Sequence, residues 1–141
     1  MNYQVLYFTR TGHSKRIAEK IAKMLDIEAI EIRDHMNWRG VIGYIKAGFY
    51  STVDKKVSIT LSRALDEQKP YIVVAPLWAG GIAPAVRAFF RVYPKEKAHL
   101  IVTSLGSTLK ERAGYLSVTD IIQRAEHEDE QIKSFLNDIK K

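Results

Sequence analysis

The sequence predicts a doubly wound α/β domain on a parallel sheet, and three observations carry that expectation. Strand-length apolar runs alternate with segments of helical periodicity along all 141 residues. Two of those runs, Tyr71 to Ala75 (YIVVA) and Leu100 to Thr103 (LIVT), are apolar without alternation, as in central parallel strands covered on both faces. The loops that follow three of the strands are rich in hydroxyls and glycine, which suits the ligand-bearing edge of such a sheet.

Each element has its own signal. Tyr3 to Phe8 is a strand of mostly large apolar residues. It feeds a helix in which Ile17, Ile21 and Leu25 recur at helical spacing with Ala18 and Ala22 beside them. Ile27 to Ile32 (IEAIEI) alternates apolar with acidic or small residues and reads as a strand near the sheet edge with one face partly wet. Ile82 to Val92 reads as a helix with Pro84 in its first turn and Val86, Phe89 and Phe90 facing the sheet. Tyr115 to Ile122 supplies a fifth strand. Ile132, Phe135, Leu136 and Ile139 at i, i+3, i+4 and i+7 define a closing amphipathic helix. The segment from 33 to 58 is the least regular; its Trp38, Val41, Ile42, Tyr44, Ile45 and Phe49 fit a helix with an apolar surface. No linker or repeat interrupts the chain, which is expected to form one domain over residues 1–141.

Composition removes several classes of chemistry. Cysteine is absent, so thiolate catalysis, disulfides and cysteine metal sites are excluded, and His13, His35, His99 and His127 are too scattered for local metal-ligand spacing. No apolar run approaches the roughly 20 residues that span a bilayer, and Met1 leads directly into a strand, which predicts a soluble cytoplasmic protein without membrane association. Lys plus Arg number 22 against 16 Asp plus Glu, a formal charge of +6. The basic residues are dispersed among acidic ones and do not form the clustered face of a nucleic-acid binder. The net charge instead suits docking to an acidic partner protein.

The loop after the first strand, Thr9 to Ser14 (TRTGHS), places three hydroxyls around Gly12 just before a helix. Free N–H groups and the positive dipole end of that helix suit a phosphate; Gly12 permits close approach or positive φ, and Thr9, Thr11 and Ser14 offer further donors. The simpler alternative is a helix start, with Ser14 or Thr11 as cap and Gly12 making the turn. The loop matches neither GxxxxGK[ST] nor GxGxxG, which counts against nucleoside triphosphates and dinucleotides. After the third strand, APLWAGGIAPAVRAFFR sets Trp78 close to Gly80 and Gly81, so a flat side chain is expected on a loop whose backbone can approach a ligand; the alternative is a core tryptophan. The fourth strand exits into TSLGS, Thr103 to Ser107, again hydroxylic and glycine-bearing.

TRTGHS resembles the phosphate loop of flavodoxins, [ST]-x-T-G-x-[ST], and PLWAGGIAPAVRAFF is similar to their flavin-ring loop and following helix; RGVIGYIKAGFY is similar to an insert of one flavodoxin subfamily. The resemblance covers nearly the whole chain. It implies a flavodoxin-like five-stranded parallel sheet in the order 2-1-3-4-5 with helices on both faces. It also implies noncovalent FMN, with phosphate on Thr9, Arg10, Thr11, Gly12, His13 and Ser14 and the ring near Leu77, Trp78, Ala79, Gly80, Ser104, Leu105 and Gly106. No residue is required as an acid or base. Two features depart from the family: many flavodoxins are acidic, and they place a second aromatic where this chain has Leu105. Trp38, Phe49 or Tyr50 are alternative covers for the outer flavin face, the competing reading being that they belong to the core. The implied function is electron transfer through bound flavin to a partner protein. The alternatives are an NAD(P)H-dependent quinone or nitro reductase acting on a small molecule, and a flavin-free module binding a phosphorylated ligand or a protein.

Overall fold

The computed structural model describes residues 3–34, 59–78 and 81–140. Along these the elements are β1 (Gln4–Tyr7), α1 (His13–Met24), β2 (Ile30–Asp34), β3 (Ile59–Leu61), β4 (Tyr71–Trp78), β5 (Gly81–Ile82), α2 (Pro84–Val92), β6 (Ala98–Ser104), β7 (Ser117–Ile122) and α3 (Glu128–Ile139). Short 3-10 turns at Lys95–Lys97 and Gln123–Ala125 precede β6 and α3.

The sheet order is β3-β2-β1-β4-β6-β7. Its five parallel strands, β2-β1-β4-β6-β7, reproduce the expected 2-1-3-4-5 order, with registers such as Leu6 beside Val73, Val73 beside Leu100 and Leu100 beside Val118. Two antiparallel strands correct the five-strand count. β3 pairs with the outer edge of β2 (Ile32 opposite Leu61), and β5 pairs with the end of β4 (Leu77 opposite Ile82). Neither is long enough to show a period in sequence, and Ile82 begins a strand pair and not the helix, which starts at Pro84. The second strand is also shifted toward Asp34 from the expected Ile27 start. The expected helix between 33 and 58 lies outside the described residues, apart from Arg33 and Asp34 in β2.

Because successive residues of a strand face opposite sides, the apolar runs of the central strands supply two cores. Leu6, Phe8, Val73, Ala75, Leu100 and Val102 pack with Val86 and Phe89 of α2. Val5, Tyr7, Ile72, Val74 and Ile101 pack on the other face with Ile17 and Ile21 of α1 and Ile132, Phe135, Leu136 and Ile139 of α3. Pro84 opens α2, where its missing N–H is of no consequence. At the end of α1, Asp26 takes the left-handed conformation (φ 58°) usually given to glycine. Asp26 N–H then donates to Lys23 O (3.2 Å) and Ile27 N–H to Ala22 O (2.9 Å), a Schellman closure that turns the chain toward β2.

Phe89 is fully buried, in ring contact with Tyr71, Phe90 and Tyr93. Phe89→Ala is expected to remove about 3 to 5 kcal/mol of unfolding free energy, read from urea unfolding curves. Val92→Ala on the same helix, where the side chain is 65% exposed, should change it by less than about 0.5 kcal/mol.

Candidate functional site

Parallel pairing sends β1, β4, β6 and β7 out at one edge of the sheet, and their exit loops meet there. α1 and α2 lie on opposite faces, and the order in which strands join the sheet reverses between β1 and β4, the position at which open sheets of this kind form a crevice. Two contacts join the three loops singled out in the sequence. Ser14 Oγ at the start of α1 lies 2.9 Å from Thr103 Oγ1 near the end of β6, with both residues buried. The Phe8 ring at the end of β1 meets Trp78 edge-on at 5.5 Å.

The first loop is built by Thr9 and Gly12. Gly12 N–H donates to Thr9 Oγ1 (2.9 Å), and Gly12 sits at the helix N-cap with φ 97°, a conformation that disfavours any side chain. A Cβ there would meet nothing within 4 Å, so backbone conformation and not crowding selects glycine, and the space before the loop is open. The capping alternative for Ser14 and Thr11 does not hold: no side chain caps α1, and the turn is closed by Thr9. The N–H groups of His13, Ser14 and Lys15 open the helix without intrahelical partners. Thr11 is exposed, and Thr9 and Arg10 are half-buried. A phosphate fits this arrangement through the first-turn N–H groups of the helix and the exposed Thr11 hydroxyl, with Gly12 leaving the approach open. Ser14 departs from the simplest expectation, since its hydroxyl is already committed to Thr103.

Trp78 stands at the end of β4, opposite Gly81, and not on a loop as expected. It is half-buried against the core side of α2, so it combines part of a core role with a face near the loop edge. Leu77 beside it is half-buried; Ala79 and Gly80 lie outside the described residues, as do Trp38, Phe49 and Tyr50. In the third loop, the half-buried Ser104 closes a turn by donating to Ser107 O (2.5 Å) and accepting from Ser107 N–H (3.1 Å). Gly106 is exposed, and Leu105 is 59% exposed. Leu105 O accepts the Arg124 N–H (3.0 Å), which ties this loop to the exit of β7.

Sequence reading placed Thr103 in a hydroxylic exit loop without its bond to Ser14, and it assigned no site role to Arg16 or Glu128. Arg16 grips Glu128 with both Nη atoms, at 2.5 and 2.6 Å, and Lys20 Nζ bonds Glu128 and Asp129, each at 2.8 Å. The start of α1 is thus clasped to the start of α3, more than a hundred positions away in sequence, so no local pattern could signal it. The Arg16 hydrogen bonds hold the Glu128 carboxyl at about 2, with Lys20 adding to this against the opposing effect of burial. Arg16 Nη2 also lies 3.0 Å from His13 Nδ1, while His13 Nε2 is buried and has no partner among the described residues. Burial first, and Arg16 second, lower the His13 pKa against the pull of Glu128. Among the described residues no His or carboxylate cluster has metal-ligand geometry, and no helix is long and apolar enough to cross a membrane.

No protein-family model and no curated protein matches this sequence. The fold, however, is that of solved flavoproteins. A flavoprotein from Lactobacillus acidophilus NCFM, determined in complex with FMN, superposes with a TM-score of 0.69 at 17% identity, covering 94% of this chain and 97% of the other. A protein from Bacteroides eggerthii, provisionally described as a flavoprotein, gives 0.71 at 16% identity over 99% and 98%. One of like description from Bacteroides uniformis gives 0.63 at 15% over 96% and 97%.

Two outcomes follow from the contacts around α1. Ser14→Ala strands the buried Thr103 hydroxyl and should cost about 1 to 3 kcal/mol in chemical unfolding, part of which Thr103→Val in the same chain should restore. Glu128 has a folded-state pKa below its ordinary value, so its stabilising effect is full above 4.5 and lost as pH falls toward about 2. The melting-temperature gap between wild type and Glu128→Gln should therefore be present above 4.5 and close on acidification through that window.

Proposed function

We propose that the chain binds FMN noncovalently at the edge formed by the β1, β4 and β6 exits and serves as a redox protein. The observation that carries this reading is the whole-length fold match to a flavoprotein determined with FMN, combined with an open, glycine-led helix start at the crevice beside β1. The flavin supplies the electron chemistry when bound. The residues of this chain bind and orient it. The first-turn N–H groups of α1 and the Thr9, Arg10, Thr11, Gly12, His13 and Ser14 stretch would take the phosphate; Leu77, Trp78, Ala79, Gly80, Ser104, Leu105 and Gly106 are the residues assigned to the ring.

Several physical features favour a bound phosphate. The first turn of α1 contains no acidic residue, so no carboxylate of its own competes with the ligand for the positive end of the helix. Trp78 presents an aromatic body beside Phe8, and Leu105 offers exposed apolar surface where a flavin or a docking partner would be met. The net charge of +6 accords with transfer to an acidic partner protein in the cytoplasm.

Purified protein incubated with FMN and freed of excess should remain yellow. Loss of all flavin from a folded chain would rule out the redox reading. FMN should bind at least about tenfold more tightly than riboflavin, because charge-assisted bonds to the phosphate are absent from the latter. Thr11→Ala should reduce FMN affinity and leave riboflavin affinity nearly unchanged, whereas Trp78→Ala should weaken both by about 0.5 to 1.5 kcal/mol through lost ring contact. Fluorescence titration of the two flavins measures all three effects, and equal affinity of the wild type for FMN and riboflavin would overturn the phosphate assignment.

A further inference from the structure

We propose that Asp120 is a positioning residue for the ring side of the site: from β7 it pins the helix-free connection between β6 and β7, so that Leu105 and Gly106 are held at the sheet edge. The inference rests on the flavin reading above and names what keeps its third loop in place.

Parallel neighbours need a crossover, and a helix usually makes it, because a helix meets its own backbone hydrogen bonds while covering one face of the sheet. α1 and α2 do this after β1 and β4. Between β6 and β7 no helix intervenes. Residues 105–116 run as turns and irregular backbone from the exit of β6 to the opposite end of the sheet, where Leu116 N–H donates to Ala98 O at 2.8 Å. Residues 105–108 and 110–114 are exposed. A segment with so little burial has weak local stability unless particular contacts restrain it.

Those contacts converge on one carboxylate. Asp120 lies beside Val102 in the sheet, and Val102 and Val118 face the α2 core, so the Asp120 side chain emerges on the side that the connection crosses. Its Oδ1 accepts the Leu109 N–H at 3.1 Å and its Oδ2 accepts Arg112 Nη1 at 2.5 Å. Arg112 also donates from Nη1 to Leu109 O and from Nη2 to Val118 O, each at 3.2 Å. Both carboxylate oxygens are thus engaged, the side chain is only 13% exposed, and Leu109 is seated in the core. Leu109 closely follows Gly106, and on the near side the Arg124 N–H holds Leu105 O at 3.0 Å. The third loop is therefore suspended between two points on the β7 side, one at the exit of that strand and one along its length. The exit hold is a single neutral bond. Asp120 supplies the charge-assisted one, which is the stronger kind.

Asp120→Asn keeps the shape of the side chain but sets an NH2 group against one of the two donors, Leu109 N–H or Arg112. Arg112→Met removes the same bond from the exposed side and should reproduce the pattern, so it serves if Asp120→Asn does not fold. Ile132→Val, on α3 and away from the connection, controls for ordinary core destabilisation. FMN and riboflavin are titrated by fluorescence well below the melting transitions of all the proteins. Asp120→Asn should weaken both flavins about tenfold and leave their ratio at the wild-type value, because the ring is common to both and the phosphate loop is untouched. Wild-type affinities in Asp120→Asn, or an equal loss in Ile132→Val, would make Asp120 a stability residue only and overturn the proposal. A loss confined to FMN would place its effect in the phosphate loop and overturn it too. Amide hydrogen exchange of the flavin-free protein gives the second readout. In Asp120→Asn the amides of Ser107, Leu109 and Arg124 should exchange about tenfold faster while those of Val74 and Ile101 in the central strands keep wild-type rates. A uniform change, or none, would sink the proposal. If the wild type binds neither flavin, the flavin reading itself fails and the ring role of Asp120 falls with it, an outcome distinct from a wild type and an Asp120→Asn variant that bind both flavins equally well.

Discussion

The contact between Ser14 and Thr103 sets the geometry on which the rest of the site depends. Thr103 belongs to β6, two strands away from β1, from which α1 departs, so the bond draws the start of α1 across β4 toward the middle of the sheet edge. Each hydroxyl is all but sealed from water, and each would be an unmet polar group without the other. The pairing therefore has little freedom to slip. It places the positive pole of the helix between the β4 and β6 exits, where two further loops come within reach of whatever binds there.

The two helices on that face treat their N-termini in opposite ways. α3 begins with Glu128, Asp129 and Glu130, so its own carboxylates meet its dipole. α1 begins with no acid and no side-chain cap, and its turn is closed by Thr9 bonding to Gly12. Glu128 and Asp129, which reach across from α3, are taken up by Arg16 and Lys20, so their charges are balanced before they reach the loop. The start of α1 thus keeps its donors and its field while the surrounding charges balance one another. That combination suits a dianionic ligand, and the simple helix start considered from the sequence does not require it.

Much of this was legible in the sequence because the responsible physics is local. The parallel order follows from apolar runs without alternation, and the helices from periodic stripes such as Ile17, Ile21 and Ile132, Phe135, Leu136, Ile139. Gly12 stood out because a left-handed helix start needs a glycine. What escaped was either very short or very distant. β3 and β5 have three and two residues, too few to establish a period. Gly80 and Gly81 just beyond Trp78 suggest a loop, yet pairing with Gly81 extends β4 through Trp78. Thr103 opens a hydroxylic exit loop in the sequence, but only the fold brings Ser14 to it. The Arg16–Glu128 clasp depends on the closing helix returning beside the first, which no window of sequence can display.

The loop also shows how binding and stability are joined in such a site. Core groups here are satisfied within the protein, as Tyr71 illustrates by donating to Pro94 O from a fully buried position. At the start of α1 the opposite holds: first-turn N–H groups lack intrahelical partners, and His13 Nε2 is buried without one. Each unmet buried donor costs about 1 to 3 kcal/mol, a penalty that core packing must offset in the folded chain. A ligand that supplies acceptors to those atoms returns part of that free energy as affinity, and it stabilises the folded state by mass action, about 2.7 kcal/mol at a hundredfold excess over Kd. The first-turn N–H groups, left open at the helix start, are what would make it selective for phosphate. Replacing them with internal caps would be expected to strengthen the fold at the expense of the site.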